Sequence, residues 1–421
     1  PTDYDFCCNG IVTSDRQVTP KLLQVKKIYQ YVDFRLTSEG QIRVRNRYAF
    51  TNLKDYRLLC VLLRDGVEVE TKTLQLPSLA PGDTLLLSSP IQQPQTPGEY
   101  HLNLSLCLPK ATLWADAGHS VATEQLTLSA IPYPAVAPAE GRPLLVDALG
   151  GDLIVSDSTF KVRFNAQGTL VSLLYGGREM LHHGKGFQFS GFRSISNDRR
   201  STEQAKVEYG KRTWSASAQH DTVIVCTSQK VALGRSVVPM QVDYRITSGG
   251  RIEVETTFGN TSNRDFSRLG LQAFLSPSLE QVEWFGRGPI ENYPDRLDAA
   301  FVGRYRHTVS GMEEAYARPQ SMGERCDIRW VSFTDKAGKG LRITSQQGNL
   351  HFSALHYTDE DLWLTTYRHE LPKVRRPEVV LHLDAALRGL GNASCGPGPL
   401  REYELLAPNY HYSFVVEPLN D

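Results

Sequence analysis

Apolar and polar residues alternate with a period of two along most of this chain, and this alternation constrains its fold more than any other feature. Successive side chains of a strand point to opposite faces, so the period is typical of strands with one buried face. Over residues 144–421 no βαβ rhythm accompanies it, which favours a large antiparallel β-sandwich over a parallel sheet. The clearest examples are Phe160/Val162/Phe164, Ile252/Val254/Phe258 and Tyr410/Tyr412/Phe414/Val416.

Residues 31–130 show the same alternation within a length of about 100 residues, which is the size of an immunoglobulin-like sandwich. A strand is expected from Ile42 to Phe50, and Asp65-Gly66 predicts a two-residue hairpin turn. The proline-rich residues 131–143 predict a linker to the larger sandwich. Thr19 followed by proline is typical of a helix start, and residues 20–30 are expected to form the only helix.

The charge balance excludes some classes of partner. Lysine plus arginine and aspartate plus glutamate number 46 each, so the formal net charge is zero. A nucleic-acid or anionic-membrane surface needs a basic excess, and we expect neither partner. The sequence also contains no apolar run long enough for a transmembrane helix. It does not decide between a cytoplasmic and a periplasmic location in a bacterium.

Residues 284–298, WFGRGPIENYPDRLD, combine closely spaced glycine and proline with several charges. Such a run is not expected to continue a strand, so we predict a shaped loop of fixed backbone. The loop either makes functional contacts or is a structural corner that only turns the chain. Glu291 and Asp295 are expected to form ion pairs with Arg287 or Arg296 rather than a catalytic pair.

Several segments resemble the large β-galactosidases of glycoside hydrolase family 2. WFGRGPIENYPDR resembles a motif of that family's last domain, as do ERCDIRW, YRH and GLGNASCGPG. DFCCNGIVTSDRQVTPKL resembles the end of the catalytic barrel, and WADAGHSVATEQ the end of the fourth domain. The segment from Phe192 to Asp198 matches its family counterpart only at Arg193, Asn197 and Asp198.

The resemblance implies a chain that begins just inside the (β/α)₈ barrel and continues through two further domains. Residues 1–30 would be the end of the barrel, 31–130 the immunoglobulin-like sandwich, and 131–143 the linker. Residues 144–421 would be a large sandwich of galactose-mutarotase-like fold. The family's two catalytic glutamates would then be absent from this chain, because they lie on barrel loops.

The resemblance also assigns binding roles to four positions. Phe6 would offer a backbone carbonyl and Asn9 a side-chain oxygen to a sodium ion beside the galactose, and Asn9 would also touch the sugar. Thr2 stands where many relatives have an asparagine near a second magnesium, and its shorter reach argues against that role. Cys395 replaces a tryptophan that stacks on the sugar, so only a small apolar contact is expected there. Both metals would belong to the full-length enzyme, and this part alone is expected to bind neither.

The implied function is a share in a retaining β-galactosidase that acts on terminal β-galactosides of the lactose type. The chain would complete the sugar pocket, and we expect it to be inactive without the barrel and N-terminal domains. The parent enzyme is expected to be a homo-oligomer. Two alternatives stay open: a stand-alone carbohydrate-binding β-protein without catalysis, and a separate small subunit of a two-chain β-galactosidase.

Overall fold

The computed structural model describes residues 10–91, 94–134, 141–195, 206–234, 236–261, 266–347, 350–391 and 396–419. Their sheets are antiparallel throughout the recorded pairings, and helices are few and short. The prediction of a mainly β protein is therefore confirmed. The chain divides into two compact units: one contains residues 18–137 and 298–304, and the other contains residues 1–17, 138–297 and 305–421.

The smaller unit is a sandwich of a three-stranded and a four-stranded sheet. The sheets have the orders β1-β2-β5 and β4-β3-β6-β7. Alternate residues of both sheets face each other in one apolar core that contains Phe34, Val44, Cys60 and Leu104. The elements are α1 (Pro20–Ile28), β1 (Val32–Leu36), β2 (Ile42–Asn46), β3 (Arg57–Arg64), β4 (Val67–Gln75), β5 (Thr84–Leu87), β6 (Tyr100–Cys107) and β7 (Ser120–Thr127).

The larger unit contains three sheets around a second core. A five-stranded sheet has the order β12-β11-β10-β9-β8, and another has the order β13-β19-β26-β25-β22. The third has ten strands and runs β14-β16-β17-β18-β27-β24-β23-β20-β21, with β15 also paired to β16. The strands are β8 (Leu145–Leu149), β9 (Asp152–Ser156), β10 (Phe160–Phe164), β11 (Leu170–Tyr175), β12 (Arg178–Glu179), β13 (Gln188–Ser190), β14 (Val207–Tyr209), β15 (Thr213–Gln219), β16 (Thr222–Leu233), β17 (Ser236–Thr247), β18 (Arg251–Phe258), β19 (Arg268–Leu275), β20 (Gln281–Gly288), β21 (Phe301–Thr308), β22 (Arg325–Ile328), β23 (Trp330–Thr334), β24 (Gly340–Ser345), β25 (Leu350–Leu355), β26 (Val379–Leu387) and β27 (Tyr410–Leu419).

The predicted N-terminal helix is present as α1. The hydroxyl of Thr19 accepts a hydrogen bond from the backbone N–H of Leu22 at 3.4 Å, and proline follows at the first helical position. The helix ends at Ile28, two residues before the predicted end. The expectation of a single helix was wrong, because the structure adds α2 (Asp359–Leu364) and α3 (Leu371–Val374). Both are too short to show a helical period in the sequence.

Two predictions about the smaller sandwich have different outcomes. The hairpin at Asp65-Gly66 is confirmed, since both residues have positive φ between β3 and β4. The strand expected to reach Phe50 instead ends at Asn46. The buried Asn46 side chain accepts from the N–H of Tyr48 at 3.0 Å and donates to the carbonyls of Thr51 and Leu79. These bonds turn the chain out of the sheet and leave Phe50 exposed.

No helix in the described part of the chain is both long and apolar enough to span a membrane.

Candidate functional site

The segment 284–298 begins as a strand, which corrects the prediction that its glycines would interrupt the sheet. Residues 284–288 belong to β20, and Trp284 pairs with Val331 of β23. Gly286 permits a close approach between backbones, since a Cβ added there would lie 2.7 Å from the Cα of Ile328. The glycines serve packing here, and the shaped loop begins only at Pro289.

Glu291 is a structural anchor of this loop. Its carboxylate lies almost fully buried and accepts hydrogen bonds from the guanidinium of Arg296 and the hydroxyl of Tyr316. The backbone N–H of Gly323 donates to its other oxygen at 2.9 Å. The predicted pairing with Arg296 is confirmed. Arg287 instead bonds to Asp327 at 2.6 Å.

Asp295 connects this loop to the glycine-dense segment 389–398. One carboxylate oxygen accepts from the N–H of Leu390 at 2.9 Å, and the other accepts from the N–H of Gly391 at 2.7 Å. Gly389 allows the approach, because a Cβ there would lie 2.8 Å from the Asp295 Cγ. The predicted ion pair of Asp295 with Arg287 or Arg296 is not among the recorded salt bridges of the described residues, whereas its two backbone bonds are.

Arg193 brings a third segment to the same place. Its fully buried guanidinium donates to the carbonyl of Arg388 at 2.8 Å and to that of Gly389 at 3.4 Å. Burial lowers the pKa of Arg193 from its ordinary value. The ring of Tyr293 lies under this guanidinium at 5.6 Å. Segments 192–195, 284–298 and 389–391 therefore meet, although they are far apart in sequence.

Residues 403 and 404, which follow the 389–398 segment, are bound to the residues at its start. Arg388 forms two parallel hydrogen bonds with the carboxylate of Glu404, at 2.6 and 3.0 Å. The N–H of Gly389 donates to the carbonyl of Tyr403 at 2.9 Å. We refer to Arg193, Asp295, Arg388, Gly389 and Glu404 together as the loop junction.

A buried ion cluster lies in the same unit and bonds to the segment that carries Arg193. The Arg268 guanidinium lies 3.0 Å from Glu324, 2.8 Å from Asp359 and 2.9 Å from Asp384. Burial disfavours its charge, but the three carboxylates outweigh burial and raise the pKa of Arg268. Asp359 also accepts from the backbone N–H of Ser194 at 2.9 Å.

Sequence reasoning missed this cluster and the loop junction as a unit. A signal was available in the strands themselves. Arg268 and Asp384 each interrupt an apolar run, in SRLGLQAF and VVLHLDAAL, and a charge inside such a run is typical of a buried ion pair.

The four positions to which the resemblance assigns binding roles, Thr2, Phe6, Asn9 and Cys395, lie outside the described residues, as do Asn197 and Asp198. Among the residues that the structure does describe, no group of three or more histidine, cysteine, aspartate or glutamate side chains could hold a metal ion.

Comparisons with known proteins point to one family. A family model described as "Beta galactosidase small chain" matches residues 156–416, and one described as "Beta-galactosidase, domain 4" matches residues 42–129. A β-galactosidase of Priestia megaterium is 29% identical over all of this chain and 42% of its own length. One from Lactobacillus delbrueckii is 30% identical over 88% of this chain and 37% of its own length. The chain thus spans about two-fifths of the length of these relatives.

Solved structures give weaker likenesses. A galactose 1-epimerase from Lactobacillus acidophilus aligns over 64% of this chain and 94% of its own length, at 9% identity and a TM-score of 0.39. A galactose mutarotase-like protein from Clostridium acetobutylicum covers 67% of this chain with 99% of its own, at 9% identity and a TM-score of 0.35. At these scores they carry no argument about function.

Proposed function

Because the chain belongs to the β-galactosidase small-chain family, we propose that it is the C-terminal part of a retaining β-galactosidase acting on terminal β-D-galactosides such as lactose. Its relatives bear that name, and the chain spans only about two-fifths of their length. Retaining glycosidases need two carboxyl groups about 5 Å apart, one as nucleophile and one as acid and base. In this proposal both belong to the part of the enzyme that this sequence does not contain.

The chain's own carboxylates support that division of labour. Glu291 is enclosed by Arg296, Tyr316 and the N–H of Gly323, and Asp295 is engaged by two backbone N–H groups. A carboxylate whose oxygens are held in this way fixes protein structure. Glu291 is also almost fully buried, so a sugar does not reach its carboxylate.

The loop junction is the observation that carries the proposal. Asp295 accepts hydrogen bonds from backbone N–H groups of residues 388–391, and Arg193 donates to backbone carbonyls of the same stretch. These bonds from two sides fix residues 388–391, which lead into the stretch that contains position 395. Sites that bind substrate need loops held by a rigid scaffold. We therefore assign the chain the role of placing this segment at the sugar pocket.

The contacts with sugar and metals are part of the same proposal. Cys395 would give a small apolar contact to the substrate, and Asn9 would bind both sugar and sodium, with the carbonyl of Phe6 as a second sodium ligand. Sodium would supply a fixed positive charge beside the galactose hydroxyls. Thr2 would lie near a second magnesium, where its side chain is shorter than the asparagine of many relatives. The enzyme's remaining domains would complete these sites.

A complementation assay tests the proposal. The chain is purified alone and after co-expression with the upstream barrel-bearing part of its gene, and each sample is given a chromogenic β-galactoside. We expect turnover only when both parts are present, with retention of configuration in the first product detected by NMR. Turnover by the chain alone would refute the assignment of catalysis to the missing part. A co-expressed pair that assembles without turnover would refute the enzymatic role.

A further inference from the structure

A cleft in the larger unit has the chemistry of a sugar-binding site. It has a volume of about 670 Å³, and its lining residues come from the turn between β10 and β11, from β13, β14, β15 and β16, and from the connection between β14 and β15. This volume lies within the usual range of ligand pockets. Its lining includes the side chains of Gln167, Thr169, Lys211, Arg212, Trp214 and Gln229.

Trp214 provides a fixed aromatic surface in this cleft. Its ring packs against Gly168, where an added Cβ would lie 2.3 Å from the Trp214 Cγ. Its indole N–H donates to the carbonyl of Ala166 at 3.2 Å. The ring is thus oriented before any ligand arrives, which reduces the entropy lost on binding. Flat aromatic rings with a polar edge suit the apolar C–H face of a sugar.

Arg212 is held in place beside this ring. Its Nε donates to the side-chain oxygen of Gln229 at 3.0 Å, and its Nη1 donates to the hydroxyl of Thr169 at 2.6 Å. Within the described residues, its Nη2 makes no recorded hydrogen bond. A guanidinium fixed on one side keeps donors available on the other, as recognition of hydroxyl oxygens requires.

Gln229 supplies the second observation. The residue lines the cleft and is only 6% exposed, yet its Nε2 has no hydrogen-bond partner among the described residues. A buried amide donor without a partner carries a cost of about 1–3 kcal/mol. This nitrogen has no contact with solvent, so Gln229 contributes to the cleft by fixing Arg212 through its side-chain oxygen.

The charge of the lining completes the description. Lys211 and Arg212 are cationic, and no carboxylate belongs to the lining within the described residues. Lys211 and Gln167 are exposed at the rim. Together the cleft offers an oriented aromatic ring, several donors and three amide side chains, which is the set of groups that a polyhydroxylated ring can satisfy.

We propose that this cleft binds a β-galactosyl oligosaccharide, with one sugar ring against Trp214 and its hydroxyl groups accepting from Lys211, Arg212 and the exposed amide of Gln167. The choice of galactose rests on the proposed function, whereas the sugar-binding character rests on the cleft. The site would attach the protein to a galactose-bearing glycan.

Isothermal titration of the 421-residue chain with galactotriose tests this inference without any need for turnover, so its outcome is independent of the complementation assay. The chain is expected to show saturable one-site binding. Trp214→Ala is expected to weaken the Kd about tenfold, the equivalent of an aromatic contact of about 1.4 kcal/mol. Trp114→Ala, which removes an exposed tryptophan of the smaller sandwich, is the matched control and should leave the Kd unchanged.

A second variant keeps the test decisive if Trp214→Ala does not fold. Lys211→Ala removes an exposed side chain that makes no recorded ion pair within the described residues, and it is expected to raise the Kd about threefold by loss of one hydrogen bond. The absence of saturable binding by the unmodified chain would overturn the proposal. Equal affinities of the unmodified chain and a folded Trp214→Ala or Lys211→Ala variant would also overturn it.

Discussion

The replacement Asp295→Asn tests whether the loop junction positions the segment 389–398. The carboxylate of Asp295 accepts from two successive backbone N–H groups, at 2.9 and 2.7 Å. An asparagine keeps one carbonyl acceptor and turns an NH₂ donor toward the other N–H. The change therefore breaks one bond and opposes two donors, while it preserves the size of the side chain.

The size of the effect follows from that geometry. A hydrogen bond to a charged acceptor contributes about 1.5–3 kcal/mol, and the site is only part-buried, so we expect a loss of about 2 kcal/mol. This loss lowers the free energy of local opening of the segment and not that of global unfolding, because the cores of the sandwich are unchanged. It corresponds to a roughly 30-fold larger population of the open segment.

Amide hydrogen exchange measures this population directly. The N–H groups of Leu390 and Gly391 are expected to exchange roughly 30-fold faster in Asp295→Asn, with unchanged rates in β26. Asp147→Asn, the same substitution on an exposed strand of the same unit, is the control. In the complemented enzyme, kcat/KM should fall about tenfold for Asp295→Asn only. Unchanged exchange at both amides would refute the positioning role.

Three further predictions concern other parts of the chain. Gly286→Ala should lower the free energy of unfolding, measured by urea denaturation, by about 1–3 kcal/mol, because the added methyl group would clash with the backbone of Ile328. Gly259→Ala is the control and should have no such effect, because a Cβ there would make only ordinary van der Waals contacts. Burial and then the Glu291 carboxylate raise the pKa of Glu314 from 4.5 to about 7. Between these two pH values the folded chain holds a proton that the unfolded chain has released, so the free energy of unfolding should fall as pH rises from about 4.5 to 7. Glu314→Gln should flatten this dependence of the unfolding free energy on pH. An equal slope in the variant would contradict the raised pKa of Glu314. Cys395→Trp should lower KM for lactose in the complemented enzyme through a restored stacking surface, and an unchanged KM would place residue 395 away from the sugar.

The fold was predictable where local sequence alone decides the structure. The alternating strands, the Thr19 cap of α1 and the Asp65-Gly66 hairpin all depend on neighbours within a few residues. The predictions were wrong where residues that are distant in sequence determine the local structure. The strand at Ile42 ends because Asn46 bonds to Leu79, 33 residues away, and Gly286 stays in a strand because the Ile328 backbone approaches it.

The candidate site shows the same division. Its segments were recognised one at a time, because each has an unusual local composition. Their convergence was not predictable, since the bonds from Arg193 to Arg388 and from Asp295 to Leu390 span 195 and 95 positions. No local period encodes a contact at such separations, and only the completed sandwich brings the three segments together.

The chemistry of the loop junction explains why charged groups, rather than apolar ones, hold this segment. Apolar packing has no preferred direction, whereas hydrogen bonds do. Asp295 accepts only from N–H groups and Arg193 donates only to carbonyls, so each fixes the orientation of the backbone that it binds. Burying the Arg268 cluster adds little net stability, because desolvation consumes most of the Coulomb gain. A single displaced partner, however, would leave a buried charge uncompensated, at a cost of about 3–5 kcal/mol. Displacing Ser194 would remove one hydrogen bond to the charged Asp359, at a cost of about 1.5–3 kcal/mol, so the cluster also fixes the position of Ser194 and of its neighbour Arg193.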